Sequence, residues 1–176
     1  MAFIHLNMPN NEGREGPVCT MDGWKHIYLN GGDYAEIPTA LLGNPRVGDQ
    51  WYLNTCGIYD GMETLSTPGG SSSVVVAVID TGVDFDHQDL ADNIWVNENE
   101  IPDNGMDDDG NGYTDDYYGV NIVAGSGNGD DDNGHGTHVA GIIAARNNNL
   151  GTVGIAYNVK VMPIKAAMAS GFLHQS

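Results

Sequence analysis

The run SVVVAVIDTG, residues 73–82, places the tightest constraint on this chain, because six apolar residues, Val74 to Ile79, close on an aspartate. A strand that is apolar at every position has no side suited to water. It is expected to be buried on both faces, as in a parallel sheet wrapped by helices. Sheets of that kind hold their working residues just past the carboxyl ends of the strands, and Asp80 stands there. A second segment, NGHGTHVAGIIAA at 133–145, opens on His135 and then sets Val139, Ala140, Ile142 and Ile143 at helical spacing. Gly136 beside the histidine lets another backbone come close, so the imidazole is expected to project from the first turn of a helix toward the sheet edge. A further strand is expected near Val159 to Ile164. Buried strand alternating with helix predicts an α/β chain built on a doubly wound parallel sheet.

The charge narrows the partners. With 24 acidic and 6 basic residues the formal net charge is −18, and no Lys or Arg occurs between Arg46 and Arg146. That balance argues against nucleic acid and against anionic membranes as partners, and no apolar run is long enough to span a bilayer. Eleven of the acids fall between Glu98 and Asp132, a clustering that calls for a counter-ion. Within it, DDDGNG at 107–112 matches the first half of an EF-hand loop, in which positions one, three and five give side-chain oxygens and glycine allows the sharp turn. Asp107, Asp109 and Asn111 take those positions, the Tyr113 carbonyl the seventh and Asp115 the ninth. Position twelve is Tyr118 rather than the bidentate Glu, so the segment is not a true EF-hand. Asp-rich turns also occur as plain Asx-turn loops; five agreeing ligand positions favour Ca2+.

VAVIDTGVDFDHQDL at 76–90 and HGTHVAGIIAA at 135–145 resemble the aspartate and histidine segments of the subtilisin-like serine proteases, the subtilases, in the family's order of Asp, then His, then Ser. The resemblance implies that Asp80 orients His135 and that His135 is the general base and then the general acid of peptide hydrolysis. It implies a subtilisin-like sheet, protein or peptide substrates, and secretion or display at the cell surface. The nucleophile would sit in a GTSMA-like segment, and none of the seven serines has that setting. Ser66 and Ser71 to Ser73 lie in or beside a PGGSSS linker, Ser126 in a Gly/Asn-rich loop, and Ser176 is last. Ser170 in AMASGF is a decoy only 35 residues after His135, whereas subtilisin's serine follows its aspartate by roughly 190 residues.

The expectation is therefore the truncated, N-terminal part of a catalytic domain over 44–176, inactive alone and poorly folded alone. Residues 1–43, through DYAEIPTALL, resemble the end of an inhibitory pro-segment. The alternative is a non-catalytic calcium-binding or interaction protein on the same scaffold. The resemblance also implies a second calcium site, with side-chain ligands Gln50, Asp89 and Asn148 and the carbonyls of Arg146, Leu150 and Thr152; hard oxygen donors suit calcium, not zinc. His138, three residues after His135, lacks the glutamate of a zinc-binding HExxH helix and is expected to be structural. Tyr113, Tyr117 and Tyr118 are expected to pack around the acidic loop. Cys19 and Cys56 could form one bridge or stay free thiols. The N-terminus has neither a basic nor an apolar region of the kind a signal peptide carries.

Overall fold

A computed structural model describes residues 26–28, 34–125 and 127–171, which divide into two compact units. Cys19, Ser126, Ser176 and most of the 1–36 segment fall outside the described side chains.

The first unit takes residues up to Pro68 together with Asn147–Val153. Strands β1 (His26–Tyr28) and β2 (Tyr34–Glu36) pair antiparallel. Two short helices follow, α1 (Trp51–Thr55) and α2 (Ile58–Thr64), separated by Gly57 in the left-handed region at φ +68. Helices of this length are not stable on propensity alone. They are held by burying Leu53, Tyr59 and Met62 with Ile37, Leu41, Val47 and Val153. Gln50, 3% exposed, works as a clasp: its Nε2 donates to the Val153 carbonyl at 2.8 Å and its Oε1 accepts the Val153 N–H at 2.9 Å.

The second unit takes residues 69–146 and those from Gly154 on. Its sheet is parallel, with β5 (Lys160–Lys165) between β3 (Val75–Asp80) and β4 (Val120–Asn121). Register runs from Val75 opposite Lys160 to Asp80 opposite Lys165. Parallel neighbours need a crossover, and α3 (His135–Ala144) lies on the path from β4 to β5. Small residues at every fourth position of α3, Gly136, Ala140 and Ala144, are buried and bring the helix close to the sheet. Around them gather Val78, Val83, Leu90, Ile94, Val159 and Val161. Asn93 closes the helix end, donating to the carbonyls of Ala144 at 2.8 Å and Tyr157 at 2.7 Å. The α/β class with a parallel sheet is as expected from the sequence.

One expectation is corrected. The apolar run before Asp80 is not buried on both faces: Val78 is 4% exposed, but Val75 is 43% and Ile79 63% exposed. The reason is positional, since β3 is an edge strand and α3 packs against the side that carries Val76 and Val78. Among the described residues no helix is long and apolar enough to cross a membrane.

Candidate active site

Parallel strand ends concentrate backbone groups at one edge of the sheet, and Asp80 is fixed there from both directions. Its carbonyl accepts the N–H groups of Ala166 and Ala167 at 2.8 and 2.9 Å, while its Oδ1 accepts the Thr81 N–H at 2.7 Å. The same oxygen lies 2.7 Å from Nδ1 of His135, the first residue of α3. The carboxylate is largely covered and the imidazole largely open, at 18% and 64% side-chain exposure. With Nδ1 protonated and donating to Asp80, the lone pair is left on Nε2, which is the arrangement a general base requires.

The approach depends on Gly136. A Cβ there would fall 2.0 Å from the Gly82 carbonyl oxygen and 3.0 Å from the Asp80 Cβ, so no other residue lets the first turn of α3 reach β3. Gly134, at φ +99, makes the turn into the helix.

Asp131 ties these parts together, a role the sequence reading did not see. Five donors converge on its carboxylate: the hydroxyls of Thr81 (2.8 Å) and Thr137 (2.5 Å), and the N–H groups of Asn133, Gly134 and Thr137 at 3.0 Å each. Burial by itself would raise its pKa, but the bonds from Thr137, Gly134 and Asn133 outweigh it and lower the value to about 2. Thr81 passes the linkage on, its hydroxyl accepting the Gly136 N–H at 3.0 Å. Lys165, side chain 7% exposed, donates from Nζ to the Thr81 carbonyl at 2.6 Å and to Asp132 at 2.5 Å. The sequence signal for this network was present, since Asp130 to Asp132 immediately precede His135, yet three adjacent aspartates do not say which one turns inward.

An open cleft of about 290 Å³ lies over the pair, lined by Ile79, Asp80, Thr81, Asn133, His135, Ala167 and Gly171. Asn133 spans it, donating to the Ala169 carbonyl at 2.8 Å. Ser170 is exposed, and no hydrogen bond joins a described serine to His135. The His138 imidazole is held below its ordinary pKa, chiefly by burial and then by the nearby His135; its Nε2 is buried without a hydrogen-bond partner among the described residues. Cys56 is exposed.

The acidic loop holds only part of the expected ligand set together. Asp107 accepts the N–H groups of Asn111 and Gly112, and Asp109 that of Asn111, so the turn has the carboxylate-to-backbone pattern of an Asx loop. Asn111 folds back on Tyr113, its Oδ1 accepting the Tyr113 N–H at 2.8 Å. Asp115, at φ +52, points elsewhere and caps the preceding turn, accepting from the N–H groups of Asn104 and Gly105. Asp109 meets two acids that the motif did not mark: one carboxylate oxygen each from Glu100, Asp109 and Asp116 lie within 4.8 Å of one another. Glu100 stands seven residues before the motif, where a forward scan from Asp107 does not look. Tyr118 stacks on Phe85 at 4.4 Å between ring centres and meets Tyr117 edge-on at 4.8 Å, packing the floor of the loop against the core.

The residues of the other expected calcium site divide between the units. In the first, Gln50 is clasped to Val153, and Asn148 Oδ1 accepts the Leu150 N–H at 3.0 Å within the loop that ends at Thr152. In the second, Asp89 is 6% exposed and its carbonyl accepts the Arg146 N–H at 2.9 Å.

Comparison with known proteins follows from these two segments. The profile of the subtilase family, peptidase S8, matches residues 71–175. Subtilisin-like protease 1 of Plasmodium falciparum is 47% identical over 119 residues, covering 66% of this chain and 17% of that protein. An extracellular protease of Xanthomonas campestris pv. campestris is 35% identical over 139 residues, covering 72% of this chain and 23% of that protein. A serine protease of Aeromonas sobria, solved in complex with a chaperone, superposes with TM-score 0.47 at 28% identity over 73% of this chain and 21% of that one. The chain thus spans under a quarter of the length of these proteins.

Proposed function

This chain belongs to the subtilase family of serine peptidases, and from that premise we propose that it carries the acid–base half of a serine endopeptidase. The observation that supports this most is the 2.7 Å contact between Asp80 Oδ1 and His135 Nδ1 at the mouth of an open cleft. In the complete enzyme His135 Nε2 takes the proton of a serine hydroxyl supplied outside these residues, and the resulting alkoxide attacks the peptide carbonyl. Asp80 holds the imidazole in its tautomer and offsets the positive charge that forms. The imidazolium then protonates the departing amine, and water, deprotonated by the same nitrogen, releases the acyl group. Substrates are proteins or peptides, and secretion is the setting that the extracellular relative suggests.

Calcium is the ion we assign to the acidic loop, because its donors are hard oxygens and the net charge of −18 calls for a cation. Its role there is to hold the loop, and no step of the hydrolysis passes through it. The further calcium set around Gln50 and Asp89 rests on the family resemblance.

The 176-residue chain alone is expected not to cleave peptides, since no described serine is bonded to His135. Purified chain treated with a serine-directed fluorophosphonate should stay unlabelled. Labelling of any serine that disappears in His135→Ala would overturn the reading. A parent gene whose sequence lacks a serine segment downstream would favour the calcium-binding alternative.

A further inference from the structure

We propose that Glu100, Asp109 and Asp116 form a calcium centre in which Glu100 supplies, from the N-terminal side, the acidic ligand that Tyr118 does not. The inference rests on the calcium reading above and revises its ligands.

The geometry fits one ion. Oxygens bound to a common Ca2+ at about 2.3 to 2.6 Å cannot be more than about 5 Å apart, and one oxygen from each of these carboxylates lies within 4.8 Å of the other two. Such a spacing is unfavourable without a cation, because two of the three acids are withdrawn from water. Glu100 is 3% and Asp116 7% exposed, so their mutual repulsion is only weakly screened.

Among the described residues nothing of opposite charge reaches them. Asp116 Oδ1 and Oδ2 accept from the side-chain amides of Asn97 (3.1 Å) and Asn111 (3.0 Å), and Asp109 Oδ2 accepts from the same two amides. Neutral amides offset a fraction of a carboxylate's charge. The basic side chains of this unit are engaged elsewhere, Arg146 with Asp92, Lys160 with the Asp92 carbonyl and Lys165 with Asp132.

Glu100 gives the independent sign. Its Oε1 accepts the N–H groups of Asp108 and Asp109 at 2.8 and 3.2 Å, which aims the carboxylate at the start of the loop. Its Oε2 is buried and has no hydrogen-bond partner among the described residues. An ionised oxygen withdrawn from water with no donor is among the costliest arrangements a fold can hold, and a coordinated cation removes the cost. Asp115, the ninth position of the motif, has both oxygens committed to the 104–105 turn and stays outside the centre.

The test uses the full chain, stripped with chelator and titrated with Ca2+ by calorimetry, with Tb3+ luminescence excited through Tyr113, Tyr117 and Tyr118 as a second readout. Circular dichroism of each variant checks that it folds as the parent does. Glu100→Gln keeps the shape and removes the charge; it and Asp116→Asn should weaken Ca2+ at least about tenfold and dim Tb3+ emission. Asp115→Asn should bind within about threefold of the parent. Parental affinity in Glu100→Gln, or a loss confined to Asp115→Asn, overturns this ligand set while leaving calcium in the loop. Absence of any Ca2+ or Tb3+ signal from the parent chain overturns both readings.

Discussion

Two groups of carboxylates in one unit are handled in opposite ways. Around Asp80 and His135 three acids each have partners supplied by the fold: Asp80 the imidazole, Asp131 five donors, Asp132 the ammonium of Lys165. Around Glu100, Asp109 and Asp116 the described residues supply two neutral amides and leave one buried oxygen with no partner. The difference follows the work proposed for each region. A catalytic pair must keep its geometry whatever ions are in solution, so its electrostatics are closed within the chain. A loop without regular secondary structure gains its order from an ion and then depends on that ion's supply. The protein therefore carries one site closed by hydrogen bonds within the fold and one whose carboxylates the described residues leave without a charged partner.

The largest effect is expected where the closed site is held apart from within. Gly136→Ala would drive a methyl into the Gly82 carbonyl oxygen at 2.0 Å, and neither the backbone carbonyl nor a methyl with no torsion of its own can turn aside. We expect a loss of about 3 kcal/mol or more, at the upper end for overpacking, and separation of His135 from Asp80. Denaturant unfolding reads the first, and NMR of the His135 ring reads the second. Calcium affinity of the acidic loop should be unchanged in whatever fraction remains folded. A variant as stable as the parent would mean that α3 and β3 do not approach as described.

Asp131→Ala opens the closed site by chemistry and should cost about 1 to 3 kcal/mol, because the donors of Thr81, Thr137, Gly134 and Asn133 lose a shared, half-buried acceptor. Asp131→Asn, which retains one acceptor oxygen, should cost less. The pH dependence has a definite sign. A carboxylate lowered to about 2 in the folded chain stabilises it fully above its unfolded value of about 3.9, and that contribution is lost as pH falls through about 2. Parent and Asp131→Asn should thus converge in stability on acidification below about pH 4. Curves that stay parallel from neutral pH down to pH 2 would show that the five bonds do not favour the ionised form.

Much of the closed site was legible in the sequence, and little of the other. An apolar run ending in aspartate and a histidine opening an apolar-periodic helix are local patterns, and the structure brings Asp80 and His135 together as those patterns expected. The same run misled on burial, because an unbroken apolar run does not say whether both faces of its strand are covered: Val75 and Ile79 face outward on β3 while Val76 and Val78 face the core. In the loop, the motif marked positions by spacing from Asp107, but which carboxylates meet is set by where the chain folds back. Glu100 arrives from before the motif, Asp116 is one residue past the marked Asp115, and Asp115 itself is turned away by its left-handed backbone. Spacing reads a regular helix or strand well, and an irregular loop poorly.

The smallest effect belongs to His138, one turn along α3 from His135. Burial, and then the neighbouring imidazole, hold it below the ordinary histidine value, so the folded chain resists the proton that the unfolded chain accepts. For a group depressed in this way stability is complete above the unfolded value of about 6.5 and declines as pH falls toward the folded one. His138→Gln replaces the titrating group with a neutral amide and should flatten the slope of unfolding free energy between about pH 7 and 5, while changing stability at neutral pH by no more than about 0.5 to 1 kcal/mol. Calcium affinity over that range should not differ between parent and variant, because the histidine lies on α3 and, among the described residues, its Nε2 has no hydrogen-bond partner in the 97–116 loop or elsewhere. A parent whose stability is flat from pH 7 to 5 would show that His138 is not held neutral. A variant that alters calcium binding would show that the two regions are coupled and that the contrast between them is not complete.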